Sequence, residues 1–350
     1  MFDVDDAIKQ KRRWVDDHIA GLDPEHDYAE IMSLVAQFQM DEFILHFLIT
    51  SLNMHVVMPA HGAEAQVFTN KAIRRPVKRM QDTLGFFWTW YCNGPDHPDT
   101  IASVRKLNDI HMGVAKGVPG HFAKSSDFVI TFCMIAVGQH RLFTRLGLGG
   151  LPPHVQTAQA KFLHALSRHF RREGDLPIEG VPSTFDEMVA YAEAWEDWDH
   201  EYSPVQTDLM DSLMTGFATR WFPKPMRWFG RNMLRYALSD KATRHYRLKP
   251  LKGIELFVTH WLMKVIFTYN VKYGPDAKIS YMKQREMLDN DELSRRDAIA
   301  KALADRRGWA KGGKGSVGFR DRGGEVSMCP VVHIPADGPL PGDNHRIAAE

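Results

Sequence analysis

Apolar residues along most of the chain recur at intervals of three and four positions, the spacing of one face of an α-helix. Runs that alternate apolar and polar residues, as half-buried strands do, are scarce. The pattern predicts an all-α fold in which one large helical domain carries most of the chain. The predicted helices include residues 23–48, 99–116, 125–147, 155–172, 184–202, 208–221, 226–238 and 251–273.

Two of these helical segments indicate where the interior lies. The segment TLGFFWTWY, residues 83–91, is apolar on nearly every face, so we expect it to be central. In the helix at 99–116, Val104, Leu107 and Val114 lie on one stripe with His111, which predicts that His111 faces inward. The helix at 23–48 is expected to begin at Asp23-Pro24, because proline fits the first helical turn.

The composition changes at Gly308, after which the chain is rich in glycine and proline. Such a sequence does not form a packed helix. We therefore divide the chain into a helical domain, residues 1–307, and an irregular tail, residues 308–350. Within the tail, only residues 331–334 have the composition typical of a strand.

Charge and terminal composition exclude several classes of protein. The 44 Lys and Arg residues are balanced by 43 Asp and Glu residues, so no global field favours nucleic acid as a partner. The N-terminal segment MFDVDDAIKQKRR has no apolar core, so it does not resemble a secretory signal. The longest apolar runs fall short of the roughly 20 residues that span a bilayer. We expect a cytoplasmic protein.

Histidine is the residue type most suited to carry the chemistry, since the chain holds 17 of them and imidazole is a common metal ligand. His111 stands out because it lies within an apolar stripe, where each ring nitrogen needs a partner. The iron of a haem would supply one such partner, with the aromatic residues at 86–91 as walls. A backbone carbonyl would supply another, and both interpretations are open at this point.

A longer pattern joins His111 to the preceding helix. Arg79 and Thr83 are four residues apart, and His111 follows Thr83 by 28 residues. This pattern, within RPVKRMQDTLGFFWTWYCNGP, ASVRKLNDIHMGV and GHFAKSSDFVITFC, resembles the haem b oxygenase family that includes latex clearing protein and MpaB. The resemblance covers about residues 74–145. It implies globin-like packing of helices around one haem b, with His111 as the iron ligand and O₂ as co-substrate. The implied partner is an apolar small molecule, often an isoprenoid or other alkene.

The resemblance also implies roles for the residues near the threonine. Arg79 and Thr83 share one helix face, where Arg79 would bind a haem propionate or polarise bound oxygen and Thr83 would donate to the same centre. The alternatives are a solvated arginine and a threonine bonded to its own helix. Asp82 stands where the latex-clearing branch has lysine, and we hypothesise that it accepts a proton or bonds to His111 or Arg79.

Further residues are candidates for the haem surroundings. His121, followed by Phe122, occupies a place where the family often has tyrosine, and it is a second candidate for the iron. Phe87 belongs to the aromatic wall. Other wall candidates are Phe128, Phe132 and Trp261.

Three other classes of function compete with the oxygenase. A helical bundle with a non-haem metal would use carboxylate and imidazole pairs one helical turn apart. A lipid-binding or membrane-peripheral protein without catalysis would use WFPKPMRWFGR, residues 221–231, in which aromatic and basic residues alternate. An interaction protein would use the basic tail at 311–322. The pairs for a non-haem metal are Glu42/His46, His169/Glu173 and Glu196/His200.

Overall fold

The structure is a computed structural model that describes residues 12–74 and 76–286. A 3₁₀ turn (Lys224–Met226) precedes the twelfth helix, a π-helical turn (Tyr269–Tyr273) follows the fourteenth, and strands β1 (Arg171–Arg172) and β2 (Leu176–Pro177) follow the ninth. The helices are α1 (Trp14–Ile19), α2 (Tyr28–Phe38), α3 (Glu42–Val56), α4 (Ala60–Phe68), α5 (Lys71–Arg74), α6 (Pro76–Asn93), α7 (Pro98–Ala115), α8 (Ser125–Arg145), α9 (Pro153–Ser167), α10 (Phe185–Asp197), α11 (Pro204–Trp221), α12 (Arg227–Ala237), α13 (Asp240–His245), α14 (Gly253–Thr268) and α15 (Tyr281–Glu286).

The all-α prediction is confirmed. Strand pairing within the described residues is limited to β1 and β2, which run antiparallel with Arg171 opposite Pro177. None of the described helices is long and apolar enough to cross a membrane. The predicted tail at 308–350, its strand-like segment and its boundary with the helical domain lie outside the described residues.

The prediction of one continuous helix over 23–48 was wrong. The Asp27 N–H donates to the Asp23 carbonyl in a single turn that does not continue, and α2 begins only at Tyr28. The chain leaves the helix again after Phe38, because the Asp41 carboxylate accepts a hydrogen bond from the Ile44 N–H and starts α3. The helix cap at Asp41 therefore separates two helices that the apolar periodicity alone had predicted as one.

Helix α8 lies at the centre of the packing. It contacts α3 on one side and α10 on the other. Val129, Cys133 and Ala136 on α8 have no exposed surface, and their small side chains allow the helices to approach closely. Leu48 of α3 packs against both apolar clusters of the described chain, so the core is continuous around α3 and α8.

The aromatic helix predicted at 83–91 is central, as expected. It forms the second half of α6, which packs against α2 and α7. Leu84, Trp88 and Trp90 are buried. The Tyr91 ring stacks on Phe162 of α9, with centroids 4.7 Å apart and planes 12° apart. This burial fixes α6 against the body and so positions the residues at its beginning.

Gly230 of α12 marks the close approach of α11 and α12. A Cβ atom there would stand 2.5 Å from the Phe222 ring and 3.1 Å from the Ala218 Cα atom. We predict that Gly230→Ala lowers the free energy of unfolding by about 1–3 kcal/mol, the usual cost of overpacking, as measured by urea denaturation. The matched control is Gly113→Ala in α7, where the new Cβ meets nothing within 4 Å. There, alanine should stabilise by at most about 1 kcal/mol, and equal destabilisation by both changes would contradict the packing.

Candidate functional site

The first residues of α6 and the last residues of α7 meet at one end of a helix pair. The two helices pack together and are joined by the short turn at 94–97, so they run antiparallel. Arg79 lies in the first turn of α6, and His111 lies near the end of α7. The topology therefore brings together two residues that are 32 positions apart in the chain.

The His111 ring lies between two aromatic side chains. Its centroid is 4.9 Å from that of Phe122 with planes 22° apart, and 6.0 Å from that of Phe128, which presents its edge. Part of the residue reaches the surface, but Nδ1 is buried and has no hydrogen-bond partner in the described structure. A buried polar atom left unpaired costs about 1–3 kcal/mol. The carbonyl partner that a purely structural histidine would use is therefore missing at this nitrogen.

Burial and charge keep this imidazole neutral. Burial lowers the pKa of His111 to about 4, with the nearby positive charge of Arg79 as the second cause. Burial also lowers the pKa of Arg79 to about 10, so the guanidinium stays charged at pH 7. Within the described chain, no ion pair joins Arg79 to a carboxylate. The site thus presents a neutral imidazole with a free lone pair beside a cation without a bonded counter-ion.

Thr83 and Asp82 differ in their orientation around α6. The Thr83 hydroxyl donates to the Arg79 carbonyl at 3.0 Å, which is the bond to its own helix that the sequence left open. That bond uses the hydroxyl hydrogen and leaves the oxygen lone pairs available. Asp82 is exposed to solvent, and His111 Nδ1 receives no bond from it. Thr83 is therefore bonded to the Arg79 backbone, whereas Asp82 is exposed on the same helix and does not bond to His111 Nδ1.

Glu173 fixes the turn that carries Phe122. Its two carboxylate oxygens accept from the Gly120 N–H at 3.0 and 2.9 Å. Its own N–H donates to the Phe122 carbonyl at 2.8 Å. Side chain and backbone of one residue thereby hold both ends of the turn, which keeps the Phe122 ring against His111.

The same segment also holds the helix that carries His111. Asn108, one turn earlier on α7, donates to the His169 carbonyl at 3.0 Å and accepts from the Arg171 N–H at 3.2 Å. Residues 169–173 therefore contact both the helix of His111 and the turn of its stacking partner. Relative motion of the two rings is restricted by a segment remote from either in sequence.

His121 is bonded in a way that His111 is not. Its Nε2 lies 3.0 Å from a Glu64 carboxylate oxygen, and its Nδ1 lies 3.3 Å from the Pro119 carbonyl. Burial lowers the pKa of His121, but the hydrogen bond to Glu64 and nearby negative charges outweigh it, so the pKa is raised above its usual value. Both ring nitrogens of His121 have partners within the protein, so neither is left free to bind a metal.

The chain matches a known protein family. Residues 37–267 match the family described as "ER-bound oxygenase mpaB/B'/Rubber oxygenase, catalytic domain". The chain belongs to this family. The match begins in the last turn of α2, ends in the last turn of α14 and includes Arg79, Thr83 and His111. It supports an oxygenase and hence an oxidoreductase activity. No curated protein matches the chain.

Two of the predicted aromatic walls lie elsewhere in this oxygenase. Phe87 is buried, but its ring contacts are with Trp90 and Tyr91, at 5.3 and 6.3 Å. It lines a small apolar cavity of about 50 Å³ next to α2, α3 and α8. Trp261 lies on α14 and is 49% exposed, so the prediction that it walls the pocket was wrong. Phe128, by contrast, lies next to the His111 ring.

The carboxylate and imidazole pairs proposed for a non-haem metal are each engaged separately. Glu42 pairs with Arg220, while His46 accepts from the Trp221 indole N–H. Among the described residues, no group of three or more His, Cys, Asp or Glu side chains is placed to hold a metal ion. The other contacts are His169 with Asp96, Glu196 with Arg141, and His200 with the Trp195 carbonyl.

Glu64 and Glu173 shape the site but were not found from the sequence in these roles. Glu173 was noted only for its spacing from His169, as a metal ligand. Its actual partners, Gly120 and Phe122, lie about 50 positions away in the chain, so no local pattern marked the contact. The glycine in the turn was the available signal, because Gly120 has a φ of 84° that favours glycine.

We predict that Glu173→Ala loosens the 120–122 turn. The Gly120 N–H loses its carboxylate acceptor, so its amide should exchange with solvent at least about tenfold faster. Hydrogen exchange measured by NMR or mass spectrometry reads this directly. The control is Glu179→Ala, an exposed glutamate outside the turn. Unchanged exchange in the Glu173 variant would show that the clamp does not restrain the turn.

A second prediction concerns the pH dependence of stability. Because the pKa of His121 is raised in the folded state, the stabilisation it provides is present below the unfolded pKa and is lost as the pH rises through the folded pKa. His121→Gln should therefore destabilise the protein more at pH 5.5 than at pH 8.5. Urea unfolding of both proteins at the two pH values gives the difference. A larger loss at pH 8.5 would reverse the sign and refute the assignment.

Proposed function

We propose that this protein is a haem b-dependent oxygenase that combines O₂ with an apolar organic substrate, and that His111 is the proximal ligand of the haem iron. The observation that carries the proposal is the buried, unpaired ring nitrogen of His111 in a chain of the oxygenase family. A nitrogen that the fold leaves without a partner is suited to a partner supplied from outside.

The residues around His111 fit a haem in chemical type. An axial imidazole must be neutral, and the lowered pKa of His111 meets that condition. Phe122 and Phe128 offer flat apolar surfaces for a macrocycle. Arg79 offers a charge that no carboxylate of the described residues pairs with, which suits a propionate.

Each side chain then has a definite task. Haem, when bound, supplies the iron centre for oxygen chemistry. His111 binds through a ring nitrogen, while Phe122 limits rotation of the imidazole and Glu173 holds Phe122. Arg79 holds an anionic group and keeps its own proton at neutral pH. These groups are partly buried, and the reduced contact with bulk water strengthens the electrostatic interactions among them.

Thr83 has a role in the proposed site, and Asp82 does not. The Thr83 hydroxyl donates its hydrogen to the Arg79 carbonyl, and its oxygen lone pairs can accept a hydrogen bond from a bound molecule. Asp82 is exposed, and it therefore takes no part in our proposed chemistry. The preference for an apolar substrate, including an isoprenoid or alkene, rests on the family resemblance and on the aromatic surroundings of His111.

Haem content tests the proposal. We predict that His111→Ala abolishes stoichiometric haem binding, because it removes a buried ring nitrogen that has no partner among the described residues. The Soret absorbance per protein after reconstitution with haemin measures this, with circular dichroism to confirm folding. The matched control is His121→Ala, which should keep haem because His121 is already bonded within the protein. Full haem retention by the His111 variant would identify a wrong ligand, and a wild-type chain that takes up no haem would refute the function.

A further inference from the structure

Helix α14 has apolar residues on nearly all of its sides, but only one side is buried. Thr259, Met263 and Phe267, at intervals of four, are its buried residues. A helix that is apolar all round is normally enclosed on every side, and this one is not. The opposite side, which we call the α14 stripe, consists of residues between 49% and 81% exposed: Ile254, Phe257, Trp261, Val265 and Tyr269.

The α14 stripe is long and continuous. Its members are three or four positions apart, so they follow one face of the helix over about 22 Å. The exposed Tyr273 extends it at the π-helical turn. At the other end, the exposed Trp228 of α12 lies across a cleft that it shares with Lys249 and Glu255. Aromatic rings therefore stand at both ends of the exposed apolar surface.

The charges beside the stripe have one sign. Residues 249–275 contain four lysines and a single glutamate. That glutamate, Glu255, is directed toward α12, where it accepts from Arg235 at 2.9 Å. Lys252 and Lys272 are exposed near the two ends of the stripe. The apolar surface is thus bordered by lysines, while the single carboxylate of its helix is paired with Arg235.

The lysines beside the α14 stripe indicate which kind of partner would cover it. A two-fold interface between copies of the chain would bring identical surfaces together, and the lysines of one copy would face those of the other. The described chain also leaves the stripe after Gly274, where Asp276 and Ala277 bond to Arg12 and Phe38 near α1 and α2. Apolar and aromatic residues rimmed by lysine match an anionic lipid surface, which takes both the hydrophobic and the cationic groups.

We infer that the α14 stripe is a lipid-docking surface, by which the protein lies on an anionic membrane without spanning it. Phe257, Trp261 and Val265 enter the boundary between head groups and acyl chains. Lys252 and Lys272 contact the anionic head groups. This docking needs no haem, and it stands or falls separately from the proposed reaction.

The test is flotation of the full chain with vesicles, one set of phosphatidylcholine alone and one with about 30% phosphatidylserine. We expect binding to the anionic vesicles that weakens with salt. The double variant Phe257→Ser/Trp261→Ser should bind at least about tenfold more weakly. Lys252→Gln/Lys272→Gln should lose the preference for phosphatidylserine. Matched controls are Leu176→Ser, an apolar residue with similar exposure on β2, and Lys106→Gln on α7.

Several results would overturn the inference. Failure of the wild-type chain to float with either vesicle set is one, and equal binding by Phe257→Ser/Trp261→Ser is another. A wild-type dimer in analytical ultracentrifugation that becomes monomeric in this variant, without lipid binding, would assign the surface to a second copy. Cross-links from Lys252 or Lys272 to residues beyond 286, without flotation, would assign it to the chain's own C-terminal segment.

Discussion

The candidate site depends on a buried imidazole nitrogen for which the described part of the chain offers no partner. Folded proteins pair nearly all buried polar atoms, because an unpaired one has lost its water and gained nothing. His111 is in this condition, and Arg79 beside it has lost part of its hydration as well. The positive charge of Arg79 adds to burial in lowering the pKa of His111, so the ring stays neutral. The unpaired nitrogen and the partly dehydrated cation are unfavourable in the protein alone. Both would gain a partner from a bound group that carries a metal ion and negative charge, as haem does.

The geometry of that site is held by contacts between distant segments. The ring of His111 is on α7, its stacking partner follows that helix in a turn, and the segment at 169–173 bonds to both. These restraints use backbone groups, which cannot move without breaking several bonds together. A ligand ring held in this way keeps its orientation without help from its own helix. The oxygenase family to which the chain belongs thus has, in this member, a short hairpin that supports the site.

Apolar surface serves two purposes in this molecule. Around α8 it fills the core with small and aromatic side chains that exclude water. On α14 the same residue types lie on both sides of a helix, and one side is left to solvent with lysines at its margins. Composition does not separate these cases, because a phenylalanine in a core and one on a docking surface have the same hydrophobicity. The neighbouring charges and the packing of adjacent helices make the distinction.

The sequence by itself determined the all-α class, the central aromatic helix and the inward position of His111, because the periodicity of a helix is a local property of the chain. It also determined the pairing of Arg79 with Thr83 on one helix face. The Asp41 cap that divides a predicted helix is also local, but helical periodicity does not show it. Only the tertiary structure decided that Trp261 faces solvent and that Glu173 supports Phe122. These outcomes depend on which segments meet in space, and contacts between distant segments leave no periodic trace in the sequence.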